Sequence, residues 1–259
     1  MSFNALFFLL LLASVVYSQT ATVWNTSYST NFSSFDGALW ALSTGCDHCS
    51  AGSDECTQMW PNSTSFGTVN GAGMVHTTRR IPPSSSSCGS PVTSGHASFN
   101  APFLYGNFTV VARWFPGVQS DVQSATGFIG LDGPNNIASI TQGFHGKGCP
   151  KGTEGEFAYQ HGVYADVTKS HHQQDITVTR SLAEDFNTFG LLWTPTQVVW
   201  SFNGVPMDVF TKASDIPQVP LVLRLDSRAG WQSLMPAGAT YTATFLFFEY
   251  TPLAAQNVK

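Results

Sequence analysis

DFNTFGLLWTPTQVVWSFNGVPM, residues Asp185 to Met207, is built on a period of two, with Trp193 and Trp200 on apolar positions and Asn203-Gly204 at its far end. Alternation marks a half-buried strand. Asn-Gly is the dipeptide that closes tight hairpins, because both residues tolerate positive φ. The stretch reads as a β-hairpin closing on Asn203-Gly204. Upstream, TSGHASFNAPFLYGNFTVVARWFPG (Thr93 to Gly117) reads as two strands joined through Tyr105-Gly106. Further strand candidates are the alternation around Phe66 to Thr78, then His96 to Phe99, Gly106 to Phe115, Thr126 to Leu131 and Ile137 to Phe144. They continue with Phe157 to Ala165, Asp175 to Arg180, Phe189 to Trp193, Val198 to Asn203, Leu221 to Asp226 and Thr240 to Tyr250. Trp114, Trp193 and Trp200 alternate within strands and are assigned to the core. No window shows a helical apolar stripe, and Pro82 to Ser87 is a short polar loop between strands, not a domain boundary. Two stacked antiparallel sheets, an all-β jelly roll, are the expected architecture.

The chain of 259 residues opens on a short polar start and the apolar run LFFLLLLASVV (Leu6 to Val16), which leads into Val16-Tyr17-Ser18 as the cleavage site. That pattern is a secretory signal over residues 1–18, too short to anchor in a bilayer. Residues 19–259 are expected to form one secreted domain, extracellular or associated with a cell wall or matrix. No later apolar run reaches spanning length, and the polar end AAQNVK is no lipid-anchor signal. Charged residues make up 10% and the formal net charge is −5, with no basic patch, which argues against nucleic acid and anionic membrane as partners. Asn25, Asn31, Asn62 and Asn107 each open an Asn-x-Ser/Thr sequon, so a glycosylated surface is expected. Five cysteines, three clustered in CDHCSAGSDEC (Cys46, Cys49, Cys56) plus Cys88 and Cys149, favour disulfides over zinc in an oxidising compartment. Their connectivity is open.

Taken in order, the two segments above and PLVLRLDSRAGW (Pro220 to Trp231) resemble glycoside hydrolase family 16, the laminarinases, lichenases, xyloglucan endotransglycosylases and fungal cell-wall transglycosylases. TNFSSFDGALWAL (Thr30 to Leu42) resembles the family's first segment and FLFFEYTP (Phe245 to Pro252) its closing strand. The resemblance implies a concanavalin A-like jelly-roll sandwich of two antiparallel sheets. It also implies Glu-x-Asp-x-Glu, or Glu-x-Asp-x-x-Glu, on the strand between the landmarks. The matching stretch here is NNIASITQGFHG, Asn135 to Gly146, and the matching positions are Asn136, Ala138 and Ile140, or Thr141. None is acidic. A retaining glycosidase needs two carboxyl groups about 5–5.5 Å apart, one as nucleophile and one as proton donor, so this lineup leaves no catalytic residue.

Glu154 and Glu156, in KGTEGEFAYQHG, are the alternative pair. On a strand their Cα atoms would lie about 6.6 Å apart on one face. Against them, the central aspartate is missing, since Gly155 stands between the two acids, and the Gly-rich FHGKGCPKG becomes a long insertion. His145 and His171-His172 have no acidic partner at metal-ligand spacing and read as loop histidines. Glu249 resembles an acidic position that binds structural calcium in some family members, but one carboxylate cannot specify a six- to eight-oxygen site. It reads first as a surface residue. No cofactor is expected, and structural calcium at Glu249 is the one metal left open.

Sugar contacts need no acids, because C–H faces stack on exposed aromatic rings. The sugar-binding candidates are Trp231, Phe144 and His145, with Arg224 and Asp226 from the LRLDSRAGW run. The leading expectation is a secreted protein that binds β-glucan or a related wall polysaccharide without cleaving it. An active retaining endo-β-glucanase or transglycosylase using Glu154 and Glu156 is the alternative, and a structural matrix or coat component is the third.

Overall fold

The computed structural model describes residues 22–47, 57–85, 87–114, 125–132, 138–145, 158–166, 169–229 and 237–253; of several strand residues, Phe144 and His145 among them, it describes the backbone alone. Two sheets carry the chain. The larger runs, in spatial order, β16 (Val205–Phe210), β15 (Val198–Phe202), β14 (Asn187–Trp193), β9 (Gly106–Arg113), β18 (Thr240–Thr251), β6 (Ala72–Arg80), β7 (Val92–Ser94), β4 (Thr57–Met59) and β3 (Gly45–Asp47). Two short strands, β1 (Tyr28–Thr30) and β5 (Thr64–Val69), pair with β18 and β6. The smaller sheet runs β13 (Lys169–Thr177), β12 (Ala158–Asp166), β11 (Ser139–His145), β10 (Ala125–Asp132), β17 (Val222–Ala229), β8 (His96–Phe99) and β2 (Trp40–Leu42). Pairing is antiparallel throughout the smaller sheet. In the larger sheet β4 and β7 pair parallel.

The hairpin sequence folds as its period requires. Phe189, Leu191 and Trp193 pair with Phe202, Trp200 and Val198, and all six are buried. The stretch makes two turns rather than one. Thr194 to Gln197 joins β14 to β15, with the Thr194 hydroxyl accepting the Gln197 N–H at 2.9 Å. Asn203-Gly204, at φ 49° and 79°, joins β15 to β16. Trp114, Trp193 and Trp200 are at most 1% exposed and fill the space between the sheets, with Phe99, Phe103 and Phe245. The strand boundaries differ from expectation in three places. The alternation around Phe66 is a hairpin of two strands, β5 and β6. The strand expected over Asp175 to Arg180 begins instead at Lys169, so His171 and His172 lie in β13 and not in a loop. The short strands β1 to β4 and β7 span only three residues each, too few to show a period.

The Tyr105-Gly106 junction starts β9 after the chain has passed from one sheet to the other. Gly106 holds φ 144°, and a Cβ there would overlap the Tyr250 ring and stand 2.8 Å from the Thr251 carbonyl oxygen. Tyr250 in turn donates its hydroxyl to the Tyr105 carbonyl at 2.9 Å, and burial pushes its pKa up to about 12. Gly106→Ala is therefore expected to lose about 2–4 kcal/mol, combining backbone strain with overpacking of a buried ring. Urea denaturation should show the midpoint falling with little change in slope.

Polar groups also enter the core. Thr78, Ser94 and Ser227 form a buried hydroxyl cluster, with Ser94 Oγ 2.6 Å from Thr78 Oγ1 and 2.9 Å from Ser227 Oγ. Beside it His76 is 0% exposed, and neither ring nitrogen has a hydrogen-bond partner among the described residues. Burial first, and the neighbouring His96 second, lower its pKa to about 3. The folded ring thus stays neutral down to about pH 3, whereas the unfolded ring takes up a proton near pH 6.5. Between those values the unfolded state holds more protons, so stability is lost as pH falls. The slope is about 1.4 kcal/mol per pH unit. Comparing urea unfolding of the native chain and His76→Leu at pH 6.5 and 5, the native chain should lose about 2 kcal/mol more.

Candidate functional site

β11 lies between β10 and β12, where the sequence leads one to expect a catalytic strand. Its register decides which side chains reach the surface. Ile140 pairs with Val163 of β12, and both are 0% exposed within the core. Ala138, 7% exposed, joins the same apolar cluster. These two positions of the expected lineup therefore face the larger sheet, not a cleft. The correction follows from the period of two: a one-residue slip exchanges the faces. Among the described side chains of β11, those turned from the core are Ser139 and Thr141. Neither is acidic, and Thr141 is only 7% exposed. Asn136 lies outside the described residues.

The same face continues across the sheet. On β17, Leu223 and Leu225 pack in the core, so Arg224 and Asp226 point the other way. Asp226 stands opposite His96 of β8, and Arg224 opposite Ser98. The Arg224 Nε–H donates to His96 Nε2 at 3.1 Å. His96 and Asp226 are 7% and 2% exposed, so this cationic, imidazole and carboxylate trio is seated in the protein surface and not fringing it. On β12, Tyr164 shares the face and donates to Gln173 Oε1 at 3.4 Å. The structure thus brings together two of the five expected sugar-binding residues, Arg224 and Asp226, and adds His96. For Phe144 and His145 only backbone positions at the end of β11 are described. Trp231, Glu154 and Glu156 lie outside the described residues.

A second cluster sits on the opposite face, at the edge where the two sheets meet. His161 of β12 and His172 of β13 face the core beside Val163, and Asp208 reaches them from β16 of the other sheet. His161 Nε2 lies 2.7 Å from Asp208 Oδ2, and His172 Nε2 bonds to the same oxygen. Burial raises the Asp208 pKa, but the hydrogen bonds from His172 and His161 and their charges outweigh it, leaving a net lowering. Trp200 stacks on both rings, with centroids at 4.4 Å and 5.8 Å. His172 is therefore half-buried with an acidic partner, contrary to its reading as a loop histidine. The sequence hides that partner 36 residues away, on a strand of the other sheet. The only cue was a histidine two positions before Val163, in a strand whose core side is otherwise apolar.

Glu249 is exposed on the outer side of β18, opposite Ser29 of β1 and Thr109 of β9. Asn25, Asn31, Asn62 and Asn107 are all exposed. A disulfide joins Cys46 to Cys88, with Cα atoms 5.7 Å apart, which removes Cys46 from any Cys-x-x-Cys metal pair. Cys49, Cys56 and Cys149 lie outside the described residues. No helix among the described residues is long and apolar enough to cross a membrane.

The sequence matches the model of the family described as glycosyl hydrolases family 16 over residues 57–243. The chain belongs to that family. Its fold is that of the family's glucanases. A prokaryotic β-1,3-1,4-glucanase (lichenase) derived from a mouse hindgut metagenome superimposes with a TM-score of 0.69 at 19% identity, covering 88% of this chain and 100% of that one. The catalytic domain of an endo-1,3-β-glucanase (laminarinase) from Thermotoga petrophila RKU-1 gives 0.69 at 14% identity, covering 89% and 99%. A structure described as apo Crh5 transglycosylase gives 0.61 at 15% identity, covering 90% and 87%. Comparison with curated protein sequences gave no match.

Proposed function

We propose that this chain is a secreted, N-glycosylated β-glucan-binding protein that has kept the family's sandwich and lost its hydrolytic acids. One observation carries the reading: on β11 the described side chains turned from the core are Ser139 and Thr141, where the family resemblance leads one to expect carboxylates. Hydroxyls at neutral pH neither attack an anomeric carbon as carboxylates do nor protonate a leaving oxygen. Polysaccharide as the ligand class is supported by family membership and by the similarity to a lichenase and a laminarinase. Arg224, with His96 and Asp226 beside it, supplies polar groups suited to sugar hydroxyls. Trp231, two residues past the end of β17 in sequence, supplies an aromatic ring for stacking. The four exposed sequon asparagines and the Cys46–Cys88 bridge fit an oxidising secretory route.

The second reading, an active retaining glucanase or transglycosylase, rests on the Glu154-Gly155-Glu156 run and on the similarity to the Crh5 transglycosylase. Affinity electrophoresis in gels containing laminarin or lichenan, run alongside a reducing-end assay, separates the two. Retardation without release of reducing ends supports binding alone.

A further inference from the structure

We propose that His161, His172 and Asp208 form a site for a divalent transition ion of the zinc type, which would join the two sheets at their edge. The three ligand atoms, two imidazole nitrogens and one carboxylate oxygen, lie within 4.8 Å of one another. In a tetrahedral zinc site with metal–ligand distances near 2.0–2.1 Å, neighbouring ligand atoms are about 3.3 Å apart. The 2.7 Å separation between His161 Nε2 and Asp208 Oδ2 would therefore widen by about 0.6 Å on binding, and the shorter contact of His172 Nε2 with the same oxygen by more. All three donors arrive pre-aimed. Asp208 Oδ1 accepts the Val209 N–H at 2.8 Å, which leaves Oδ2 turned to the rings. Trp200 packs on His161 at 4.4 Å and Phe210 on His172 at 5.0 Å, fixing both ring planes. Such supporting contacts orient ligands in metal sites.

The donor set selects the ion. Two imidazoles and one carboxylate suit zinc, nickel or copper, whereas calcium and magnesium require shells of oxygen. The side chains of His172 and Asp208 are 18% and 14% exposed, so an ion can enter from solvent and water can complete its shell. The site draws on β12 and β13 of one sheet and on β16 of the other. An ion there would add a bond between the sheets to the hydrogen bonds and ring stacking that already join them at this edge. The site lies on the core side of the smaller sheet, so it stands independently of the glucan reading.

The full chain, without an affinity tag and stripped with chelator, is titrated with Zn²⁺ by calorimetry, with thermal unfolding followed in parallel. Co²⁺ is then substituted and its visible absorption recorded. The expected result is one zinc per chain, an unfolding temperature raised by the metal, and the intense d–d bands of four-coordinate cobalt. Asp208→Asn and His172→Gln should each weaken zinc binding by about tenfold or more. Asp208→Asn is nearly isosteric and partly exposed, so it keeps the test valid if His172→Gln fails to fold. Absence of zinc uptake by the native chain would overturn the proposal. So would uptake that is unchanged in Asp208→Asn, since the ion would then be held elsewhere, at the cysteines for example.

Discussion

Replacing Trp200 with alanine is expected to cost about 3–5 kcal/mol of stability, the range for deleting a buried aromatic and leaving a cavity. Trp200 is 0% exposed, so its whole side chain contributes. Its position puts the effect toward the upper end. It stands on β15 in the larger sheet, yet its indole N–H donates to the Thr141 carbonyl of β11 in the smaller one, at 3.2 Å. Its ring also lies against His161 of β12 at 4.4 Å. Removing it strips a donor from a buried carbonyl and opens a void between the two sheets beneath β11. Collapse cannot close that void cheaply, because His172 stays stacked on Phe210 and both imidazoles stay bonded to Asp208. Urea unfolding should show the midpoint reduced with slope nearly unchanged. Trp200→Phe keeps most of the volume and should recover more than half of the loss. A change below about 1 kcal/mol for Trp200→Ala would mean that the indole does not couple the sheets.

The features legible in sequence were those with local signatures. Asn203-Gly204 fixed a turn, and the positions of Trp193 and Trp200 placed their rings in the core. What could not be read was which face of β11 meets the core. Asn136-Ile137-Ala138-Ser139-Ile140-Thr141 has small or apolar residues on both parities, so the hydrophobic period carries little information there. Only pairing with Val163 and packing beneath Trp200 decide that Ile140 points inward. The His161, His172 and Asp208 cluster was hidden for a different reason. Its members come from three strands in two sheets, and no local spacing encodes a contact between sheets. Arg224 and Asp226 were found because β17 alternates cleanly; His96 was not, because β8 shows only four residues of pattern.

Incubation with laminarin, lichenan or xyloglucan is expected to release no reducing ends above background, while laminarin or lichenan still binds with Kd between μM and mM, about −4 to −8 kcal/mol. The contrast is large because the two tasks use different chemistry. Glycosidic hydrolysis relies on a nucleophile and a proton donor about 5–5.5 Å apart to reach accelerations of many orders of magnitude. Ser139 and Thr141 supply neither, and Ala138 and Ile140 are sealed in the core. Binding needs only hydrogen-bonding groups and an aromatic surface. Arg224 is already held by its bond to His96, so little rotamer freedom is lost when it meets a sugar. Arg224→Ala should therefore weaken retardation in glucan gels severalfold, and Trp231→Ala should weaken it more, since stacking supplies the larger contact. Glu154→Gln and Glu156→Gln should leave both binding and the null turnover as they are. Reducing ends released by the native chain and abolished in either glutamine variant would overturn the binding reading and establish Glu154 and Glu156 as the acids of an active enzyme.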